Sequence, residues 1–247
     1  MMLESLNNEH TIIVIGRGHS GTRLISFALQ ESGVFTGEPQ NVAGDLLPPQ
    51  PLYSACRIMG PYVKQTSNYE WDFSDLMARE IPLDFLENLE LYLNSLFHSD
   101  STYKGWKLPE NTLIFPWLVR VFPQAKFIYW VRDPRDSILG LHGTDRLEKW
   151  NIPAKKFLFH SRKLRAASWK YQYDIVAQTP KPTHFMTIRF EDFILKQAEI
   201  REQLEVFLGF SVAEIPVNPG KVGGWKRGFP RPTYRFLHQA MKELNYL

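Results

Sequence analysis

Thr11-Ile12-Ile13-Val14-Ile15-Gly16-Arg17-Gly18-His19-Ser20-Gly21-Thr22-Arg23 is the stretch whose reading decides the fold. Five β-branched residues in a row, stopped by glycine, predict a short buried strand. After Gly21, Leu24, Phe27 and Ala28 fall at helical spacing up to a stop at Gly33. Strand, glycine-rich turn and helix in this order bring backbone N–H groups and the positive end of a helix dipole onto one point, which suits a phosphate-like anion. Gly16 and Gly21 have the glycine spacing of an ATP-binding P-loop. Thr22 and Arg23 stand where that motif needs Lys and Ser/Thr, which argues against magnesium-nucleotide hydrolysis. A ligand-free βα turn is the plain alternative, but Arg17, His19, Ser20, Thr22 and Arg23 make it unusually polar.

Working outward, the chain alternates as an α/β protein should. Pro82 to Phe97 carries an apolar helical stripe, Tyr103 to Lys107 a short strand, and Thr112 to Phe122 a helix with a doubtful first turn at Pro116. Lys126 to Val131 is a second buried strand, Lys155 to Gln178 a long charged helix, and His184 to Phe190 a third strand. Gln197 to Leu208 is a helix ending at Gly209, and Thr233 to Leu244 a closing amphipathic helix. Gly37 to Trp71, with five prolines and few periodic apolar positions, reads as a long loop inserted after the first βα unit. Loops of this length are often lids. We expect residues 1–247 to form one domain, with 37–71 and Leu141 to Phe159 lining a substrate pocket; Tyr53, Tyr62, Tyr69 and Trp71 suit either that pocket or the core.

Composition narrows the function. A net charge of +3 over 247 residues gives no global basic field for nucleic acid. A single cysteine, Cys56, excludes an internal disulfide and a cysteine zinc cluster and fits a reducing compartment. The seven histidines are scattered without metal-ligand spacing, so no metal is expected. No signal-peptide core or membrane-length apolar run is present, and a cytoplasmic protein is the expectation.

Two further stretches carry chemistry. Val131-Arg132-Asp133-Pro134-Arg135-Asp136-Ser137 takes an arginine off the end of a buried strand and puts a proline in the first turn of a helix. Ligands of open parallel sheets gather at the C-terminal strand ends. Arg17 and Arg132 would both stand there, joined by Lys107 if its strand is parallel, and an arginine there can grip a phosphate bidentately. An internal Arg132–Asp136 or Arg135–Asp133 ion pair is the competing reading. The glycine-rich basic tail Gly220-Lys221-Val222-Gly223-Gly224-Trp225-Lys226-Arg227-Gly228, followed by Arg231 and Arg235, could wrap a purine nucleotide with Trp225 near the base; a solvated basic loop is the alternative.

Taken together, these stretches resemble the sulfotransferases that use 3′-phosphoadenosine 5′-phosphosulfate (PAPS). The family's 5′-phosphosulfate loop is similar to His19-Ser20-Gly21-Thr22, and its 3′-phosphate motif to Phe127 through Pro134. The Trp-x-Trp-Lys-x-Pro segment of bacterial members is similar to Lys104-Gly105-Trp106-Lys107-Leu108-Pro109. Arg189-Phe190-Glu191-Asp192 and Gly223-Gly224-Trp225-Lys226 match two later family segments in order. The resemblance spans residues 11–247. It implies an α/β, three-layer P-loop-like fold with a central parallel sheet flanked by helices, and sulfuryl transfer from PAPS to a hydroxyl or amine, leaving 3′-phosphoadenosine 5′-phosphate (PAP), without a metal. Arg17, Gly18, His19, Ser20, Gly21, Thr22, Arg23, Arg132, Ser137, Gly140, Trp225, Lys226 and Arg227 are the expected nucleotide-binding positions. Lys107 and His19 are candidate catalytic cations along with Arg23. Glu110 is favoured as base over His142, Asp45 and Glu38.

The chain departs from the family in three respects: the catalytic His that many cytosolic members carry before the Leu-Pro has no clear counterpart, Lys107 lying nearest in pattern, and two positions differ. His19 stands where Lys or Arg is usual, and Gly140 where a Ser is usual eight residues after the motif arginine, with Ser137 one turn earlier as a substitute. A P-loop kinase of small metabolites and a sulfotransferase-like binding protein without catalysis are the rival readings.

Overall fold

The computed structural model describes residues 2–154, 162–227 and 233–247. Four strands, β1 (Thr11–Ile15), β4 (Lys104–Lys107), β5 (Lys126–Val131) and β6 (Phe185–Arg189), form one parallel sheet in the order β4-β1-β5-β6. The remaining two, β2 (Lys64–Ser67) and β3 (Glu70–Asp72), make a separate antiparallel hairpin. The first strand is central because its β-branched residues are buried on both faces, as a parallel strand between helical layers requires.

Strand alternation divides the interior in two. Ile13, Ile15, Trp106, Phe127, Tyr129 and Val131 face one layer, built from α2 (Gln50–Met59), α4 (Leu83–Phe97), α5 (Phe115–Val121) and α7 (Arg162–Gln178), with α3 (Ser74–Ala78) and α10 (His238–Glu243) at its margin. Ile12, Val14, Ile128, Trp130 and Ile188 face the other, built from α1 (Arg23–Glu31), α8 (Phe190–Leu195) and α9 (Gln197–Leu208). Sheet between two helical layers is the architecture expected.

The insertion 37–71 is not an irregular loop. It contains α2 and most of the hairpin. Leu52, Ala55, Cys56 and Met59 are buried on one face of α2 against α4, and Pro51 sits in the first turn, where its missing N–H costs no helical bond. The long charged helix begins, among the described residues, at Arg162; 155–161 lie outside them, as do Gly228 and Arg231 of the tail. The closing helix is shorter than expected: a 3₁₀ turn Arg235–Leu237 followed by α10.

Because all four strands of the main sheet run parallel, their C-terminal ends share one edge. The turn 16–22, Lys107, Arg132 and Arg189 all stand there.

Candidate active site

The turn after β1 is fixed from three sides. The Gly16 N–H donates to Thr112 Oγ1 (2.7 Å), the Trp130 indole N–H to the Ser20 carbonyl (2.9 Å), and the Ser20 N–H to the Arg17 carbonyl (3.2 Å). His19 and Gly21 take positive φ (63° and 86°), and a β-carbon on Gly21 would press within 2.7 Å of the Phe190 ring. The result is a tight cradle. Among the described residues, no hydrogen-bond acceptor faces the backbone N–H of His19, Gly21, Thr22 or Arg23. Arg23, exposed at the start of α1, carries its charge close enough to Lys107 to be felt there.

Arg17, expected at the anion, is turned inward. Its Nε and NH2 grip Asp145 bidentately (3.0 and 2.6 Å), and NH1 donates to the carbonyls of Gly18 (2.8 Å) and Ser137 (2.7 Å) and to Ser137 Oγ (3.0 Å). With side-chain exposures of 3% and 0%, the Arg17–Asp145 pair is interior. Ser137 is likewise fully buried. The helix carrying it, α6 (Pro134–Ser137), stops there, so Ser137 and Gly140 do not share a helical face.

Arg132 joins the other parts. NH1 donates to the His19 carbonyl (3.3 Å), and NH2 to the Lys221 carbonyl (2.6 Å) and, at 3.5 Å, to Asp136 Oδ2. Its guanidinium carbon lies 4.3 Å over the Phe190 ring, and its buried Nε has no partner among the described residues. Asp136 in turn accepts the backbone N–H of Gly223 (2.9 Å) and Trp225 (2.6 Å), docking the tail on α6. The Trp225 ring lies 4.0 Å under the Arg135 guanidinium. Lys226 is exposed, while Arg227 folds back onto the Gly220 carbonyl (2.7 Å). Both ion pairs weighed against a ligand role are present: Arg132–Asp136 at 3.5 Å and Arg135–Asp133 at 2.6 Å.

At the end of β4, Lys107 Nζ donates to the Ala43 carbonyl (2.7 Å) and forms a short ion pair with Asp45. Burial lowers the lysine's pKa, and Asp45 opposes that shift. Glu110, in the 3₁₀ turn Pro109–Thr112, is buried and lifted to about 7, chiefly by burial, with Asp45 adding to the rise. Burial also pushes the Tyr53 hydroxyl up to about 12, with Glu110 and Asp45 contributing. His142 is held down to about 4, first by burial and then by Arg17 and His19. Its Nδ1 accepts the Thr144 N–H (3.2 Å), so the neutral ring carries its proton on Nε2. Glu38 is exposed and leans on α4, its N–H donating to Ser95 Oγ (3.1 Å).

A family model described as the sulfotransferase family matches residues 11–214. The chain belongs to the sulfotransferase family. Solved structures agree at the level of the fold. A sulfotransferase domain from the curacin biosynthetic pathway aligns at TM-score 0.58 and 15% identity, covering 96% of this chain and 97% of that one. The sulfotransferase domain of the Synechococcus PCC 7002 olefin synthase gives 0.54 and 13%, covering 97% and 96%. Sulfotransferase STF9 from Mycobacterium avium gives 0.52 and 14%, covering 98% and 78%. No curated protein sequence matches.

In this sulfotransferase, sequence reasoning passed over Asp145 and Thr112, and met Asp136 only as an ion-pair partner. Asp145 had one local signal: in His142-Gly143-Thr144-Asp145 its carboxylate accepts the His142 N–H (2.8 Å) to close a capping box. Nothing in the sequence told that its other partner lies 128 residues away. Among the described residues no helix is long and apolar enough to cross a membrane.

Proposed function

We propose that the protein transfers a sulfuryl group from PAPS to a hydroxyl or amine of an acceptor, releasing PAP. The observation that carries this reading is Arg132, whose one guanidinium touches the carbonyls of the first turn and of the tail while leaving a buried Nε unpartnered. A buried unpartnered donor is costly unless a ligand completes it, and a phosphate suits it. The fit extends to the turn, where the N–H groups of Gly21, Thr22 and Arg23 would hold the second anionic group.

Bound PAPS supplies an activated sulfuryl group whose departure leaves negative charge on a phosphate oxygen. The chain's own work is positioning and charge stabilisation. The helix start at Thr22-Arg23, with Lys107 and His19 beside it, offsets that charge. Glu110 takes the acceptor's proton: near 7 it is a usable base at neutral pH. Two of its rivals are committed elsewhere, Asp45 to Lys107 and His142 Nδ1 to the Thr144 N–H, and Glu38 is exposed on the surface. Arg17 holds the turn in shape from within.

Thermal unfolding tests the reading. PAP at about 100 times its Kd should add about 2.7 kcal/mol, a rise of roughly 5–11 °C for a chain of this size, while ATP with magnesium leaves Tm unchanged. Stabilisation by ATP with magnesium alone would favour the kinase reading, to which Thr22 and Arg23 are ill suited.

A further inference from the structure

The two positions at which the sequence departs from the family pattern lie against each other. A β-carbon placed on Gly140 would stand 3.4 Å from His19 Cγ and 3.5 Å from both Cδ2 and Nδ1, so a serine side chain there would crowd the imidazole. The ring is fixed in place. Its backbone is held at φ 63°, the His142 ring meets it edge-on with centroids 5.5 Å apart, and Nε2 lies 2.8 Å from the Leu141 carbonyl oxygen.

That last contact decides what the other nitrogen can do. A carbonyl oxygen only accepts, so Nε2 carries a hydrogen and donates it. In the neutral ring Nδ1 is then a bare lone pair, which repels a phosphate oxygen. Only the imidazolium has an N–H to offer at Nδ1, on the residue whose carbonyl Arg132 holds.

We infer that His19 is a phosphate ligand of this turn only as the imidazolium, and that nucleotide binding is therefore coupled to uptake of a proton at Nδ1. The inference rests on the nucleotide reading above. The groups packed around His19 do not supply that proton. Arg132 from β5 and Arg17 behind Gly140 keep their charge at any working pH, Asp145 is taken by Arg17, and His142 is already neutral and hydrogen-bonded. Arg23, on the same turn, is a fixed charge, and the tail approaches only through the Lys221 carbonyl at Arg132.

The test is calorimetric titration of PAP into wild type, H19K and H19N, in two buffers of different ionisation enthalpy, from pH 6 to pH 8. Comparison among the three cancels the nucleotide's own titration. Asparagine tolerates positive φ, so H19N guards against a misfolded H19K, and thermal melts without ligand confirm that both fold. Wild type should take up more protons than either variant. Its PAP affinity should fall, relative to H19K, by up to about tenfold per pH unit as the pH rises, and should converge on that of H19N at pH 8. G140S should weaken PAP binding in wild type but not in H19N. Equal proton uptake and parallel pH profiles in wild type and H19N would overturn the inference while leaving the nucleotide site standing. Failure of PAP to bind any of the folded proteins would overturn both.

Discussion

Arg17 and Lys107 are two buried cations at the same edge of the same sheet, each with its side chain 3% exposed. They are paired in opposite ways. Arg17 spends its donors on a fully buried aspartate and on neighbouring carbonyls, in planar bidentate geometry. Lys107 leans on Asp45, which is 15% exposed and comes from the insertion rather than the sheet, and it shares its surroundings with a carboxyl poised near 7. The first arrangement is closed and serves shape. The second sets Lys107 and Glu110 near each other beside Asp45, with burial working against the charges of the lysine and the glutamate, as in sites that move protons.

Breaking the closed pair should have the largest effect. D145A strands a buried guanidinium, and we expect a loss of about 3–5 kcal/mol of stability, seen as a collapse of the urea midpoint whether or not PAP is present. The open site should respond in rate instead. E110Q should fold and bind PAP yet lose about 100-fold or more in turnover, and wild-type turnover should rise with pH through about 7, the value to which Glu110 is lifted.

The same carboxyl ties stability to pH. Between its ordinary 4.5 and about 7 the folded protein keeps a proton that the unfolded chain has released. Wild-type stability should therefore decline as pH rises through that window, by about 1–3 kcal/mol relative to E110Q. Identical pH profiles of stability for the two proteins would place Glu110 outside the site's electrostatics. R132A should keep Tm within a few degrees and weaken PAP by about 10–100-fold, the worth of one or two charge-assisted hydrogen bonds; unchanged affinity would remove Arg132 from the site.

The smallest effect tests the support behind Arg132. Tyr246 donates its hydroxyl to Glu191 Oε2 (2.9 Å), Glu191 Oε1 accepts the Asp133 N–H (3.0 Å), and Arg135 donates to the Tyr246 carbonyl (2.9 Å). Y246F should cost about 1 kcal/mol, with a correspondingly small drop in Tm.

The sheet was legible because its strands are short apolar runs buried on both faces, a pattern that local composition carries. The α2 helix was not. Its i, i+3, i+4, i+7 series at Leu52, Ala55, Cys56 and Met59 is present, but Pro48, Pro49 and Pro51 crowd its start and read as loop. The prolines mark a helix entry, and what tells entry from loop is the α4 surface waiting for the apolar face, which lies far along the chain. The arginines show the same limit. Sequence placed both Arg17 and Arg132 at the sheet edge, and both are there. Which one faces inward is set by Asp145, on a connection whose path no local pattern reveals. Glu110 was readable as a carboxylate near Lys107; the burial that lifts it was not.

The tail is attached by an unusual kind of knot. Asp136 grips it through the main-chain amides of Gly223 and Trp225, and Arg132 through the main-chain carbonyl of Lys221. Main chain is common to every residue, so these three bonds do not depend on which side chains residues 221–227 carry, although the Trp225 ring under Arg135 adds a side-chain contact of its own. Evolution, or a protein engineer, can therefore rewrite the side chains of this segment as an exchangeable thumb and retune what it touches while its main-chain anchorage stays the same.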